Sequence, residues 1–222
     1  MSPKVPQAYM DARRKEIVQA AYKCFVTKGF HNTTMQDIFN AANLSPGAVY
    51  NYFASKEDLV IATVKDSDTF ILPQLASLSS ENPEKTLHNL VDFWVSLLNK
   101  LPNELNRLHM DYYSEATNNE AIRQALLESQ ANIFAGLVKV FRPDQKARVI
   151  KPELDPLSLA FVMIAMFSGL RMHKLVDSDI DIETFGNVFK AMVTAFFTVK
   201  PEKRFKAVKA KPKRRTASVN RT

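Results

Sequence analysis

The sequence predicts an all-α protein of about nine helices: an N-terminal three-helix helix-turn-helix domain followed by a C-terminal helical ligand-binding and dimerisation domain. Three observations lead there. The 222 residues contain only five Gly, and long segments place apolar residues at helical spacing. Pro preceded by Asn, Asp or Ser recurs at regular intervals, as helix starts require. An apolar content of 46% is enough to bury a core.

Helix one carries an apolar stripe of Ile17, Ala20, Ala21, Cys24 and Phe25. Thr34 caps helix two, with Asp37 three residues on as a capping box, and Met35, Ile38, Ala41 and Ala42 follow at helical spacing. That helix ends at Asn43, a residue that tolerates the left-handed backbone of a sharp exit. Leu44 is the apolar residue of the turn. Ser45 caps helix three, and Pro46 sits at its first position, where a missing N–H costs nothing. Val49 and Phe53 pack inward, leaving Gly47, Ala48, Tyr50, Asn51 and Tyr52 outward. Small residues let a helix N-terminus approach the major groove, Asn pairs bidentately with adenine, and Tyr reaches a phosphate through its hydroxyl. Buried rings for Tyr50 and Tyr52, and a plain surface role for Asn51, fit the same pattern. Ser55 with Lys56, Glu57 and Asp58 forms a third cap whose N-terminus suits a backbone phosphate.

Ile17 to Lys56 resembles the DNA-binding domain of the TetR family of one-component bacterial regulators. The resemblance rests on the stripe of helix one, the exit Lys28-Gly29-Phe30, Thr33-Thr34, Val49-Tyr50, Phe53 and Ser55-Lys56-Glu57. Asn43 departs from the Gly common in the family, and Phe39 stands where a small residue is usual. By resemblance, the DNA contacts are Thr33, Thr34, Gln36, Ser45, Pro46, Gly47, Ala48, Tyr50, Asn51, Tyr52 and Lys56.

Helix four is expected from Ser55 to about Leu72, stopped before Pro73. Asn82 and Pro83 open helix five, which ends before Pro102, and helix six starts at Asn103. Helix seven runs from Asn119 to before Pro143, Asp155 and Pro156 open helix eight, and Asp181 caps helix nine. The domain plan is residues 1–54 for DNA binding, 55–80 as a connecting helix and loop, 81–200 for effector binding and dimerisation, and 201–222 as a disordered basic tail.

Aromatic and Met side chains meeting among helices build either an adaptable pocket or a solid core. Family resemblance favours the pocket, with Trp94, His109, Tyr112, Phe134, Met163 and Phe167 as ligand residues. Asp111 and Glu115, on the same side of helix six as Tyr112, admit a lipophilic cation or are plain surface carboxylates. Helices eight and nine are apolar on more than one face, which requires burial on two sides. The expected dimer interface comprises Phe161, Ile164, Gly169, Phe185, Phe189, Met192 and Phe196, with Gly169 permitting close approach. A monomer with helix eight at its centre is the competing arrangement.

Several function classes fall away. The four His have no metal-ligand spacing, and there is no nucleophilic triad motif, phosphate loop or Cys cluster, so no enzyme, metal or cofactor is predicted. Cys24, the one Cys, lies on an apolar stripe and reads as a structural thiol. No signal-peptide core opens the chain, and the apolar run Leu157 to Leu170 is shorter than the ~20 residues that span a bilayer. No membrane contact and a cytoplasmic location follow. From Lys200 onward there are ten Lys or Arg against one acid, so a formal total of +7 leaves −2 for the rest. That tail either adds phosphate contacts or only solubilises the end.

The resemblance implies a homodimeric repressor, released from a near-palindromic double-stranded operator by a small apolar or aromatic effector. The alternative is an effector-independent, architectural or nonspecific DNA binder that uses the basic tail.

Overall fold

The computed structural model describes residues 6–78 and 83–199. They form α1 (Gln7–Lys28), α2 (Met35–Ala42), α3 (Pro46–Tyr50), α4 (Lys56–Ser77), α5 (Pro83–Lys100), α6 (Asn103–Ala116), α7 (Glu120–Lys146), α8 (Pro156–Val176) and α9 (Ile182–Phe197), with no strand among the described residues. The helical class holds. The Asn82 cap and the basic tail lie outside the described residues.

Most helix starts follow the capping chemistry of the sequence. Thr34 and Asp37 form a reciprocal capping box, and Asn43 ends α2 in the left-handed conformation with φ 53°. Ser45 accepts from the Ala48 N–H, Ser55 from Asp58, Asp155 from Ser158 and Asp181 from Thr184. Asn119 accepts from both Ala121 and Ile122. Each such cap stabilises its helix by about 1 kcal/mol.

Two expected stops fail. α4 continues through Pro73 to Ser77, and α7 through Pro143 to Lys146. Both prolines are exposed, so water can serve the carbonyl each leaves unbonded. Beyond Pro73 the buried Leu75 outweighs the lost hydrogen bond, and beyond Pro143 the Asp144 carbonyl accepts from the Val149 and Ile150 N–H groups at 2.9 and 3.2 Å. α3 is shorter than expected and stops at Tyr50, yet Phe53 is still buried just past its end.

Two cores organise the chain. The first joins Ile17, Phe25, Phe30, Ile38, Phe39, Val49 and Phe53 to Leu59, Val60 and Val64 of α4, and to Leu108, Tyr112 and Ala116 of α6. The N-terminal module is therefore completed by α4 and α6, beyond the 1–54 boundary expected for it. The second core gathers α5, α7, α8 and α9 around Leu90, Trp94, Leu98, Leu137, Phe141, Met163 and Val193. At Gly186 the backbone of α9 comes so close to α5 that a Cβ would lie 2.7 Å from Val95 Cγ2.

α8 is longer than the run Leu157–Leu170. Over Pro156–Val176 it is long and apolar enough, by length and composition alone, to cross a membrane. Its Leu159, Ala160, Met163, Phe167 and Leu170 are buried in the second core.

Candidate nucleic-acid interface and effector site

The α2–turn–α3 unit presents a compact polar face. Ser45, Pro46, Gly47 and Asn51 are exposed, Ala48 is half-buried, and Gly47 has open space where a side chain would stand. Tyr50 is 50% exposed, and its ring meets the edge of Phe39 with centroids 5.4 Å apart. Phe39, the bulky departure from the family pattern, thus fills the core under α3 and props the Tyr50 ring toward solvent, a contact of about 0.5–1.5 kcal/mol. Gln36 is exposed on α2, with its amide turned to Asn40 at 2.9 Å. Thr34 is exposed too, its hydroxyl engaged in the capping box.

Three expected DNA contacts hold the module together instead. Thr33 is buried, and its hydroxyl donates to Gly29 O at 2.7 Å and Cys24 O at 3.2 Å, closing the end of α1. Tyr52 is half-buried and donates to Met10 Sδ at 3.2 Å, tying the end of the reading turn to α1. Lys56 Nζ donates to Phe30 O at 2.9 Å and Thr33 O at 3.0 Å, and lies 4.2 Å from the Phe30 ring centre. Two of its three N–H groups thus clamp the α1–α2 corner. Sequence spacing cannot separate such a clamp from a phosphate anchor, because both use a cation at a helix N-terminus. Cys24 is half-buried, and burial raises its thiol pKa, which suits the structural reading.

The expected effector residues divide in two. Trp94 and Phe167 meet between α5 and α8, and His109 lies on α6 within electrostatic reach of Arg171 on α8. The Trp94 and Phe167 rings lie 4.5 Å apart, and His109 stacks obliquely on Tyr113 at 5.0 Å. Arg171, one turn beyond Phe167, places its guanidinium carbon 5.2 Å from that ring centre. Burial, with Arg171 nearby, pushes His109 down to about 3, so its imidazole is neutral at pH 7. Burial also lowers Arg171 to about 10, which leaves it cationic. Met163 is fully buried in the adjoining core, and Phe134 is half-buried with its ring 6.0 Å from Phe161.

Tyr112 belongs elsewhere. It is buried in the first core, where its hydroxyl and that of Thr63 lie 2.7 Å apart, and burial pushes its phenol well above the usual 10. The two α6 carboxylates also turn from the effector region. Asp111 Oδ2 accepts the Phe30 N–H at 3.2 Å, and Glu115 pairs with His31 at 3.3 Å. Neither is placed to receive a lipophilic cation beside Trp94.

Residues 17–63 match the family model for bacterial regulatory proteins of the tetR family. That match spans 47 of the 222 residues and covers the N-terminal head. The chain is 32% identical over 137 residues to the uncharacterised HTH-type transcriptional regulator YfiR of Bacillus subtilis, an alignment covering 60% of this chain and 65% of that protein. It is 28% identical over 185 residues to the HTH-type transcriptional regulator BetI of Rhizobium meliloti, covering 78% and 84%. Among solved structures, a putative TetR-family transcriptional regulator from Mesorhizobium loti superposes with TM-score 0.74 at 21% identity, covering 85% and 98%. A putative transcriptional regulator from Saccharomonospora viridis in complex with choline gives 0.71 at 17%, covering 86% and 100%. At these identities the superpositions speak for the fold.

The chain leaves apolar stripes outward on its last two helices. On α8, Phe161, Ala165, Gly169, Met172 and Val176 are exposed in helical register, and Gly169 has no side-chain neighbour within 4 Å of a built Cβ. On α9, Val188, Ala191, Met192, Ala195 and Phe196 do the same. Phe189, expected in an interface, is buried in the second core, and Ile164 and Phe185 are half-buried against it. α9 is apolar on more than one face, so the sequence left its inward side ambiguous, and the close approach at Gly186 to α5 decides it.

Arg171 and Tyr113 are the residues sequence reasoning missed at the effector site. The available signal was an Arg within the otherwise apolar α8, one turn after Phe167.

Proposed function

We propose that the protein is a DNA-binding transcriptional regulator, a homodimeric repressor released from a near-palindromic operator by a small effector. The observation that carries the reading is the α3 face. A capped helix end presents Ser45, Pro46, Gly47, Tyr50 and Asn51 to solvent, with Tyr50 propped by Phe39. Phosphate contacts from the cap and Tyr50, and base contacts from Asn51, follow from that chemistry. Pairing through the exposed stripes of α8 and α9 supplies a second head for the other half-site.

Effector control is supported by the route between the two regions. α6 carries His109, which senses the charge of Arg171 on α8, and also Asp111 and Glu115 at the α1–α2 corner. A ligand that moves α6 moves the head with it. Typical coupling is about 1–3 kcal/mol, equivalent to a 5–150-fold change in operator affinity.

Nonspecific binding through the basic tail is the second reading. Val199 donates to Val149 O at 2.8 Å, beyond the C-terminal end of α7. That end lies about 36 Å along α7 from Ile122, which packs in the first core, at 1.5 Å per residue. At about 3.3 Å per extended residue the residues that follow Val199 are long enough to bridge that distance, so deleting residues 201–222 and titrating DNA against salt separates the two readings.

Footprinting on the DNA upstream of the protein's own gene tests the proposal, with Tyr50→Ala and Asn51→Ala as controls. A short protected near-palindrome, lost in both variants, supports the reading. Diffuse protection insensitive to both removes it in favour of the tail.

A further inference from the structure

The region between α5, α6 and α8 holds more unanswered polar groups than a packed core tolerates. Trp94 is 5% exposed, and its buried Nε1 has no hydrogen-bond partner among the described residues. The same holds for Nδ1 of His109, Nε of Arg171 and both amide atoms of Asn106, a residue only 1% exposed. Asn106, His109 and Tyr113 recur at i, i+3 and i+7 on α6, so they share one helix face. Arg171 lies against Phe167 and Phe167 against Trp94, joining α8 to α5, while His109 stacks on Tyr113 on α6 and senses the charge of Arg171.

The charge is unanswered as well. No carboxylate among the described residues lies within ion-pair distance of Arg171. The nearest acidic residues on α6, Asp111 and Glu115, are engaged at Phe30 and His31. His109 adds no compensating negative charge, being neutral. Arg171 is half-buried, with its Nε buried against the ring of Phe167 and unpartnered, so a counter-charge reaching its guanidinium would complete the site. Trp94 Nε1, Arg171 Nε and Asn106 Nδ2 are N–H donors that lack an acceptor.

We propose that this site binds an organic anion, a carboxylate on an aromatic or alkyl body, with Arg171 taking the charge and Trp94 and Phe167 flanking the apolar part. The assignment rests on the effector reading above and names the ligand's chemistry. The donors of Trp94 and Asn106 suit the remaining carboxylate lone pairs, and the planar guanidinium fork matches a carboxylate bidentately. A cation, such as the choline held by the Saccharomonospora viridis neighbour, would meet like charge at Arg171.

Trp94 is the only Trp in the chain, so its fluorescence reports this site alone. The full-length protein is titrated with 4-phenylbutyrate, 4-phenylbutanamide and 4-phenylbutylamine, three compounds of similar shape and different charge, and melting temperature is followed in parallel. The acid is expected to shift Trp94 emission and bind at least about tenfold more tightly than the amide, with the amine weakest, as loss of a charge-assisted bond requires. Arg171→Gln is expected to abolish the preference for the acid while leaving amide binding unchanged. Equal binding of acid and amide, preference for the amine, no response to the acid, or an acid affinity untouched in Arg171→Gln would each overturn the assignment. So would a lower dimer affinity in Arg171→Gln without any acid preference in the parent, which would place a partner's carboxylate at Arg171. The wild-type comparison stands even if the variant misfolds. Operator footprinting separates the two levels: intact protection without anion preference removes only the anion, and absent protection removes the regulatory reading.

Discussion

The backbone N–H of Phe30 donates to Asp111 Oδ2 at 3.2 Å, so a carboxylate of α6 holds the corner between α1 and α2. Gly29 beside it has φ 79°, a left-handed conformation that gives the chain its sharp exit from α1. Asp111→Ala is expected to destabilise the protein by about 1–3 kcal/mol, the range for a bond to a charged acceptor. Asp111→Asn, which keeps an acceptor oxygen, should lose less. Thermal melts give the stability, and operator titrations with and without effector should show a smaller effector response in Asp111→Ala.

Tyr50 and Lys56 separate reading from scaffolding. Tyr50→Ala should abolish specific protection with little change in melting temperature, since half of that ring is solvent-exposed. Lys56→Met should instead lower the melting temperature, because the Phe30 and Thr33 carbonyls lose their shared cation. If Lys56 is a clamp, the slope of log affinity against log salt stays unchanged in the variant, whereas loss of one phosphate contact reduces it by about 0.9.

Gly186 and Val95 offer a packing test. A Cβ at Gly186 would stand 2.7 Å from Val95 Cγ2, and a β-branched side chain in a helix has little freedom to yield. Ala gains about 1 kcal/mol of helix propensity over Gly. Overpacking costs about 1–3 kcal/mol and is expected to prevail. Gly186→Ala should therefore lower stability in denaturant unfolding, and Gly186→Ala with Val95→Ala should show a favourable coupling in the double-mutant cycle.

Asp37 gives a pH dependence. Lys28 at 2.6 Å, then the Thr34 N–H and hydroxyl, hold its carboxyl down to about 2 from the usual 3.8. A depressed folded pKa contributes stability that is complete above the unfolded value and is lost as protons bind on the way down to the folded one. The melting temperature should fall more steeply in the window from about pH 4 to pH 2 than it does in Asp37→Asn.

Phe161 tests the assembly. Its ring is 61% exposed at the outer side of α8, so Phe161→Glu should leave the fold intact and reduce the light-scattering mass to that of one chain. An unchanged oligomer would show that this stripe is not the pairing surface.

Much of this molecule was legible in the order of its residues. Thr34 with Asp37, Asn43, Ser45 with Pro46, and Asp155 and Asp181 act within three or four residues of themselves, so their caps and turns can be read locally. Trp94 and Phe167 lie on apolar stripes of two helices, and their rings meet. Phe189 was not legible, since α9 is apolar on more than one face and periodicity cannot choose among them.

The sequence by itself determined the helical class, the position of the head and most helix starts, because capping, proline stereochemistry and apolar period are short-range effects. The tertiary structure decided the rest. It carried α4 and α7 past exposed prolines, since buried Leu75 and the hydrogen-bonded Asp144 carbonyl lie on the far side. It turned Lys56, Thr33 and Tyr52 from groups available to a ligand into fastenings of the head, and Asp111 from a pocket residue into its latch. Among the described residues it also left Arg171 with no carboxylate in ion-pair distance. Which partner a polar side chain finds depends on residues up to 106 positions away, as for His88 and Thr194, and only the packing of helices brings those together.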